Sequence, residues 1–206
     1  MNAGSIGLRA KRALDVVVAS VLLLGLAPLM VAIAAAIVLT SGRPVLFRQR
    51  RPGLHGEPFT MYKFRTMRPP DAGEEPWTTD EVRTTRLGAI LRKASLDELP
   101  QFVQVISGRM SLVGPRPLLM EYLPRYTPEH GRRHEMRPGI TGLAQVSGRR
   151  ALTMGQRLDL DLHYVEHWSL RSDLAILTRT AAAVLGGGDI KGQTIADVDD
   201  LHLLIQ

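Results

Sequence analysis

The chain has 206 residues, 45% hydrophobic and 22% charged, which suits one globular domain and excludes a disordered tail. Lys+Arg 26 against Asp+Glu 20 gives +6, and only four of the bases are lysines (Lys11, Lys63, Lys93, Lys191). The excess is therefore arginine, whose planar fork favours phosphate or phospholipid headgroups. The absence of cysteine excludes a disulfide scaffold, an iron–sulfur cluster, a thiol nucleophile and a thiolate zinc site.

Between Val16 and Ser41 there is no charged residue. As a straight helix of about 24 residues this run reaches roughly 36 Å, enough to cross a bilayer. It is longer than the apolar region of a signal peptide, and the aromatic-poor remainder could hardly wrap it as a core helix. Arg9, Lys11 and Arg12 precede it, and Arg43, Arg48, Arg50 and Arg51 follow, so both ends carry the basic residues expected of a cytoplasmic side. Pro28 removes a helix hydrogen bond near the middle and predicts a kink. A helix that bends at Ala27-Pro28 and returns satisfies both flanks, but spanning helices also tolerate proline, so the residues alone leave re-entrant and spanning geometries open.

Next in the chain, 45–50 and 59–65 read as strands of a hairpin around PGLHGEP, with Lys63 and Arg65 on one face. The Pro- and acid-rich stretch 68–80 reads as an exposed loop. Helical spacing then predicts helices over 83–93 and 98–106, meeting near Ser95. GRMSLVGPRP and RPGITG read as rigid loops, the second with the Pro-Gly order of a type II turn. Helices are predicted over 156–168 and 173–185, the latter closed by Gly186, Gly187 and Gly188.

Asp97-Glu98 is the sharpest acidic pair. Ser95-Leu96-Asp97-Glu98 spells a capping box, and Pro100 suggests a later start with Asp97 as the cap; a carboxylate here could also be a nucleophile or a magnesium ligand beside phosphates. In Val113-Gly114-Pro115-Arg116-Pro117 two prolines stiffen the backbone around Arg116, which reduces the entropy lost when it grips an anion. His163-Tyr164-Val165-Glu166-His167 matches H-x-x-E-H, so a zinc-dependent membrane hydrolase is the competing enzyme, although two histidines make half a tetrahedral site. His130 and His134 sit among arginines, a poor cation site.

The order of features is recognisable: KRALD, an apolar segment with a central proline, YKFRTM, SLDELPQ, SLVGPRP, RPGITGLAQVSGR and a Tyr-Val-Glu helix. Together, over about residues 8–186, they resemble the bacterial sugar transferase family, specifically the small monotopic phosphoglycosyl transferases typified by the bacillosamine-phosphate transferase of bacterial protein glycosylation. The resemblance implies a mainly helical α+β fold: a re-entrant N-terminal membrane helix with basic flanks (1–42), a cytoplasmic catalytic domain (43–188) with interfacial amphipathic helices and a small β-hairpin, and a tail (189–206) of unknown role. It implies transfer of a sugar phosphate from a UDP-sugar, expected to carry an N-acetylated hexosamine, to polyprenyl phosphate, with release of UMP. The place is the cytoplasmic face of the bacterial inner membrane. Asp97 is then the nucleophile and a Mg2+ ligand, Glu98 its partner, Arg116 and Arg149 phosphate or nucleotide contacts, Lys63 and Arg92 further basic positions, and Pro28 the structural kink.

Some positions depart from that pattern: Ala27 replaces a serine before the kink proline, Leu143 replaces a tryptophan, and Arg109 stands at a commonly acidic position. No further membrane segment precedes Lys11, as expected of a minimal catalytic form, and a homodimer is left open. The non-enzyme alternative is a non-catalytic basic membrane-binding module. Nucleic acid is not an expected partner, because 5% aromatic content gives few stacking platforms.

Overall fold

The computed structural model describes residues 3–71, 80–148 and 152–186. Helix α1 is one element, Ala3–Ser41, passing through Pro28. Only 11% of its most apolar 18-residue window is buried, so it is not the core helix of the domain. Large apolar side chains such as Val21, Leu24, Val31 and Leu39 lie bare on it. Its other face carries Lys11, Asp15, Ala19, Ile33 and Ile37, all buried against the rest of the chain.

The predicted hairpin forms from β1 (Leu46–Pro52) and β2 (Pro58–Phe64), antiparallel with Phe47 opposite Lys63. Next come two helices, α2 (Asp80–Arg83) and α3 (Arg86–Lys93), and then α4 (Gln101–Ile106). Phe102 of α4 packs against two clusters: Phe59, Met61, Val105, Met110 and Val113 on one side, and Ile33, Ile37, Phe64, Leu91 and Leu99 on the other. Gln104 ties β2 to α4, accepting from the Tyr62 amide at 3.1 Å and donating to the Thr60 carbonyl.

The two loops read from Pro and Gly content are instead partly a sheet. Residues Ser111–Val113 form β3, and Gly139–Thr141 form β4 parallel to it after a helical turn over Met120–Arg125, the short α5 (Pro128–Gly131) and a second turn over Arg132–Glu135. Gly139 is not in the left-handed region that a type II turn requires. The pairing instead brings backbones so close that a Cβ on Gly114 would lie 2.3 Å from the Arg137 carbonyl oxygen. Finally α6 (Leu143–Ser147), α7 (Met154–Glu166) and α8 (Leu170–Leu185) close the domain, the last two started by capping boxes at Thr153 and Ser169. The fold is α+β and mainly helical. Tail residues 189–206 lie outside the described residues.

One expectation is corrected at the membrane boundary. Lys11 and Arg12 read as basic flanks facing headgroups, yet Lys11 is 6% exposed and Arg12 donates to the carbonyls of Val105 and Ile106 at 2.6 and 2.9 Å. Both charges are spent inside the protein. Nearby, Arg9 is exposed.

Candidate active site

The acid pair sits in a helical turn, Leu96–Glu98, between α3 and α4. The capping box is not made: Ser95 adopts a left-handed conformation (φ 56°) without a side-chain cap bond, and Pro100 occupies the position before α4. Relieved of capping, the Asp97 carboxylate makes no hydrogen bond among the described residues, although the residue is only 8% exposed. Leu99, two residues further on, joins Leu91 in the apolar cluster with Ile33, Ile37 and Phe64.

Glu98 is engaged. Lys63 Nζ and Arg116 Nη2 both donate to its Oε1, at 2.6 and 2.9 Å. The Gln104 clamp on β2 places Lys63 there, because alternation along the strand sends Phe64 into the core and Lys63 towards the turn. Arg116 arrives from the far side, after β3. Its carbonyl accepts from the buried Arg133 at 2.6 Å, and Arg133 is itself paired with the buried Asp161. Arg92 donates to Thr66 Oγ1 at 2.9 Å and Thr84 Oγ1 at 3.3 Å. Such proximity of α3 to Thr66 needs Gly88, where a Cβ would fall 2.0 Å from the Thr66 carbonyl oxygen.

These charges divide the two acids. Burial pushes the Asp97 carboxyl above the usual aspartate range, with Glu98 adding to the push and Lys63, Arg116 and Arg92 opposing it. Burial also pushes Glu98 up, but Lys63 and Arg116 outweigh it and hold that carboxyl down to about 2. Glu98 is thus a fixed anion neutralised by two cations. Asp97 is a carboxylate with uncommitted oxygens in a positive field, the arrangement a nucleophile towards phosphorus requires.

No trio of His, Asp and Glu side chains among the described residues could hold a metal by itself. The uncommitted oxygens are those of Asp97 and Glu98 Oε2. That set fits a hard cation completed by substrate phosphates and water, as magnesium commonly is, better than zinc. In the H-x-x-E-H segment the rings of His163 and His167 stack on each other at 4.3 Å, and Glu166 accepts from Arg132 at 2.6 Å, so the motif presents a helix surface rather than a metal cage.

The structure therefore brings together Asp97, Glu98, Lys63 and Arg116, with Arg92 one layer behind. Arg149 lies outside the described residues, and Arg109 is exposed and bonded to neither acid. Sequence reading missed the support: Gln104 bonds β2 residues 42 and 44 positions away, Arg133 bonds Asp161 28 positions away and the Arg116 carbonyl 17 positions away, and no local spacing announces these buried polar groups. Arg51, read from the sequence as a basic flank of the apolar run, is instead held below the usual arginine range, to about 10, by burial and by Arg116.

The structure thus joins a helix long and apolar enough to cross a membrane to a small α+β domain that buries the Asp97 carboxylate among Lys63, Arg116 and Arg92. The chain belongs to the bacterial sugar transferase family, whose model matches residues 6–187. It is 49% identical over 175 residues to the protein named "Uncharacterized sugar transferase EpsL" of Bacillus subtilis, covering 85% of this chain and 87% of that protein. It is 42% identical to the exopolysaccharide production protein ExoY of Rhizobium meliloti, with 87% of each chain covered. To the UDP-glucose:undecaprenyl-phosphate glucose-1-phosphate transferase of Xanthomonas campestris it is 45% identical, covering 86% of this chain but only 39% of that longer protein.

Proposed function

We propose that the protein is a phosphoglycosyl transferase that moves a sugar phosphate from a UDP-sugar to polyprenyl phosphate, releasing UMP, and so initiates assembly of a glycoconjugate. The observation that carries this reading is the Asp97 carboxylate, buried, without a hydrogen bond among the described residues and adjacent to an acid already neutralised by Lys63 and Arg116. In the first step an Asp97 oxygen attacks the β-phosphorus, an acyl phosphate bond forms, and the bond to the bridging oxygen breaks with its electron pair leaving on UMP. In the second, a phosphate oxygen of the polyprenyl acceptor attacks the same phosphorus and the Asp97 carboxylate leaves. Arg116, with 44% of its side chain exposed, is placed to meet the diphosphate, and Lys63 keeps Glu98 from repelling it. Asp97 and Glu98 Oε2 would hold magnesium, which when bound supplies further neutralisation of phosphate charge.

The re-entrant reading of α1 belongs to the same proposal. The arm before Pro28 reaches the end of α4 through Arg12, and the arm after it lies in the cluster of Leu99 that Phe102 flanks. A straight helix separates residues 12 and 33 by about 32 Å, whereas the segment 99–106 on which both arms converge is only about 10 Å long. A bend at Pro28 reconciles the two and leaves both helix ends on the side of the catalytic domain, the cytoplasmic one by the charge of Arg9, Arg43, Arg48 and Arg50.

Test and donor go together. Protein in nanodiscs with undecaprenyl phosphate is offered UDP-glucose, the donor named for several relatives, and UDP-N-acetylhexosamines, the donors expected from the resemblance. UMP release with one of them, and a phosphosugar mass adduct on Asp97 when acceptor is withheld, are expected. No UMP from any donor sinks the reading.

A further inference from the structure

We infer that Lys11 and Asp15 are positioning residues that fix the height and angle of the active site against the membrane, so that they serve attack by the bilayer-embedded acceptor more than use of the soluble donor. The inference rests on the phosphoglycosyl transfer proposed above and extends it to the question of how a site on a soluble domain meets a phosphate fixed in a lipid plane.

One turn of α1 grips both segments that carry the site. Lys11 Nζ donates to Asp173 Oδ2 at 2.7 Å and to the Val113 carbonyl at 3.0 Å. Asp15 accepts from Ser111 Oγ at 2.7 Å and from the Leu112 amide at 3.2 Å. All three residues of β3 are therefore held, and the chain runs directly from them into Gly114, Pro115 and Arg116. Between Lys11 and Asp15 in sequence, Arg12 holds the last carbonyls of α4, the helix that follows Asp97 and Glu98. Asp173 is completed from the other side by Tyr164 Oη at 2.7 Å and Trp168 Nε1 at 3.1 Å.

Stability alone does not call for this arrangement. Ion pairs withdrawn from water are commonly no better for stability than apolar residues of similar volume, and this helix is apolar nearly everywhere else. What directed hydrogen bonds supply is register: an apolar face can slide or roll on its partner, whereas a lysine bonded to two acceptors and a carboxylate bonded to two donors on one strand cannot. Lys11 and Asp15 alternate along α1 with the exposed apolar Leu14, Val17 and Val18, the side chains that lipid would cover if this arm enters the bilayer. A roll of the arm there would move Arg116 and Asp97 relative to the lipid plane, while leaving the geometry between them nearly unchanged.

The experiment uses the double variant Lys11→Met/Asp173→Asn, which removes both charges of the Lys11–Asp173 pair; Asp15, whose carboxylate lies 3.9 Å from Lys11 Nζ, keeps its hydrogen bonds from Ser111 and Leu112. The introduced amide can accept from Trp168 while donating to Tyr164, whose hydroxyl turns to the Val113 carbonyl 3.1 Å away. Wild type and variant in nanodiscs are compared with undecaprenyl phosphate and with a short, water-soluble isoprenyl phosphate. Misplacement by an ångström costs between about tenfold and a hundredfold, so that loss is expected for the bilayer acceptor, against less than about twofold for the short acceptor and for the donor KM. Equal loss with both acceptors would reduce the clamp to a fold support, and no loss with either would remove it. A second readout is independent of catalysis: a fluorophore on Glu129→Cys, in a chain with no other cysteine, reports its distance to acceptor-labelled lipids. A broadened or shifted distance in the variant supports the clamp, and an unchanged one overturns it. If wild type transfers to neither acceptor, the enzymatic reading fails and this distance still decides the clamp.

Discussion

Removing Lys63 should weaken the domain by an amount the site geometry sets. Glu98 is held down from 4.5 to about 2, which corresponds to about 3 kcal/mol of stability at neutral pH. Because the folded value is the lower one, this stabilisation is complete above about pH 4.5 and disappears as pH falls through about 2. Two cations share it on one oxygen. Lys63 is the nearer, at 2.6 Å with 17% of its side chain exposed, whereas Arg116 is 44% exposed and correspondingly screened. More than half the effect therefore falls to Lys63, about 2 kcal/mol, or about 4–8 °C in Tm for a chain of this size. The assay is a thermal-unfolding cycle in nanodiscs at pH 7.5 with Lys63→Met, Glu98→Gln and the double variant. A coupling below about 0.5 kcal/mol, the range of an exposed surface pair, would refute the assignment of Glu98 as a buried anion neutralised by Lys63.

Asp97→Asn should abolish turnover with no loss of Tm at pH 7.5, because a carboxyl raised by burial opposes folding when ionised and the amide removes that penalty; turnover near the wild-type rate would refute its role as nucleophile. Arg116→Lys should lower transfer by about tenfold or more, since a lysine has no bidentate fork, while the exposed Arg171→Lys stays within about twofold, and equal rates would demote Arg116. Cysteines introduced at Asn2 and Arg43 should both react with an impermeant thiol reagent from the cytoplasmic side alone. Labelling of the two from opposite sides would replace the re-entrant helix by a spanning one.

The hairpin was legible because strand alternation and a Gly-Pro-rich turn are local signals, and α7 and α8 because of their amphipathic spacing. That spacing starts them at 156 and 173, however, and passes over the caps at Thr153 and Ser169 that begin them at Met154 and Leu170. The acid pair was legible as residues but misleading as structure. Ser95-x-x-Glu98 spells a cap, and what prevents one is the left-handed turn at Ser95, which no spacing encodes. Strands β3 and β4 hold three residues each, too few for a period, and their pairing depends on two backbones meeting at Gly114 and Gly139 across a long connection. The basic start of α1 misled differently. Lys11 and Asp15 stand one turn apart, and an acid at the edge of an apolar run was the available sign that this turn faces protein rather than headgroups.

The two arms of α1 hold the domain by different physics, and the difference matches what each arm supports. Behind the acid pair the second arm offers Ile33 and Ile37 to Leu91 and Leu99, contacts that fill volume and exclude water without fixing direction. Such a floor suits Asp97, whose raised carboxyl depends on burial rather than on a bonding partner. The first arm instead reaches β3 and the end of α4 through charged groups with defined bond directions. Arg116, on the segment leaving β3, extends a long flexible side chain into a half-open site, so its useful position depends on a backbone that does not drift. Arg133 and Asp161 hold that backbone from the domain side, and Lys11 and Asp15 hold the preceding strand from the membrane side. In the proposed transfer the domain-side hold keeps the orientational entropy loss of the guanidinium small when it closes on a diphosphate, whereas the hold on β3 sets where that guanidinium stands against the bilayer.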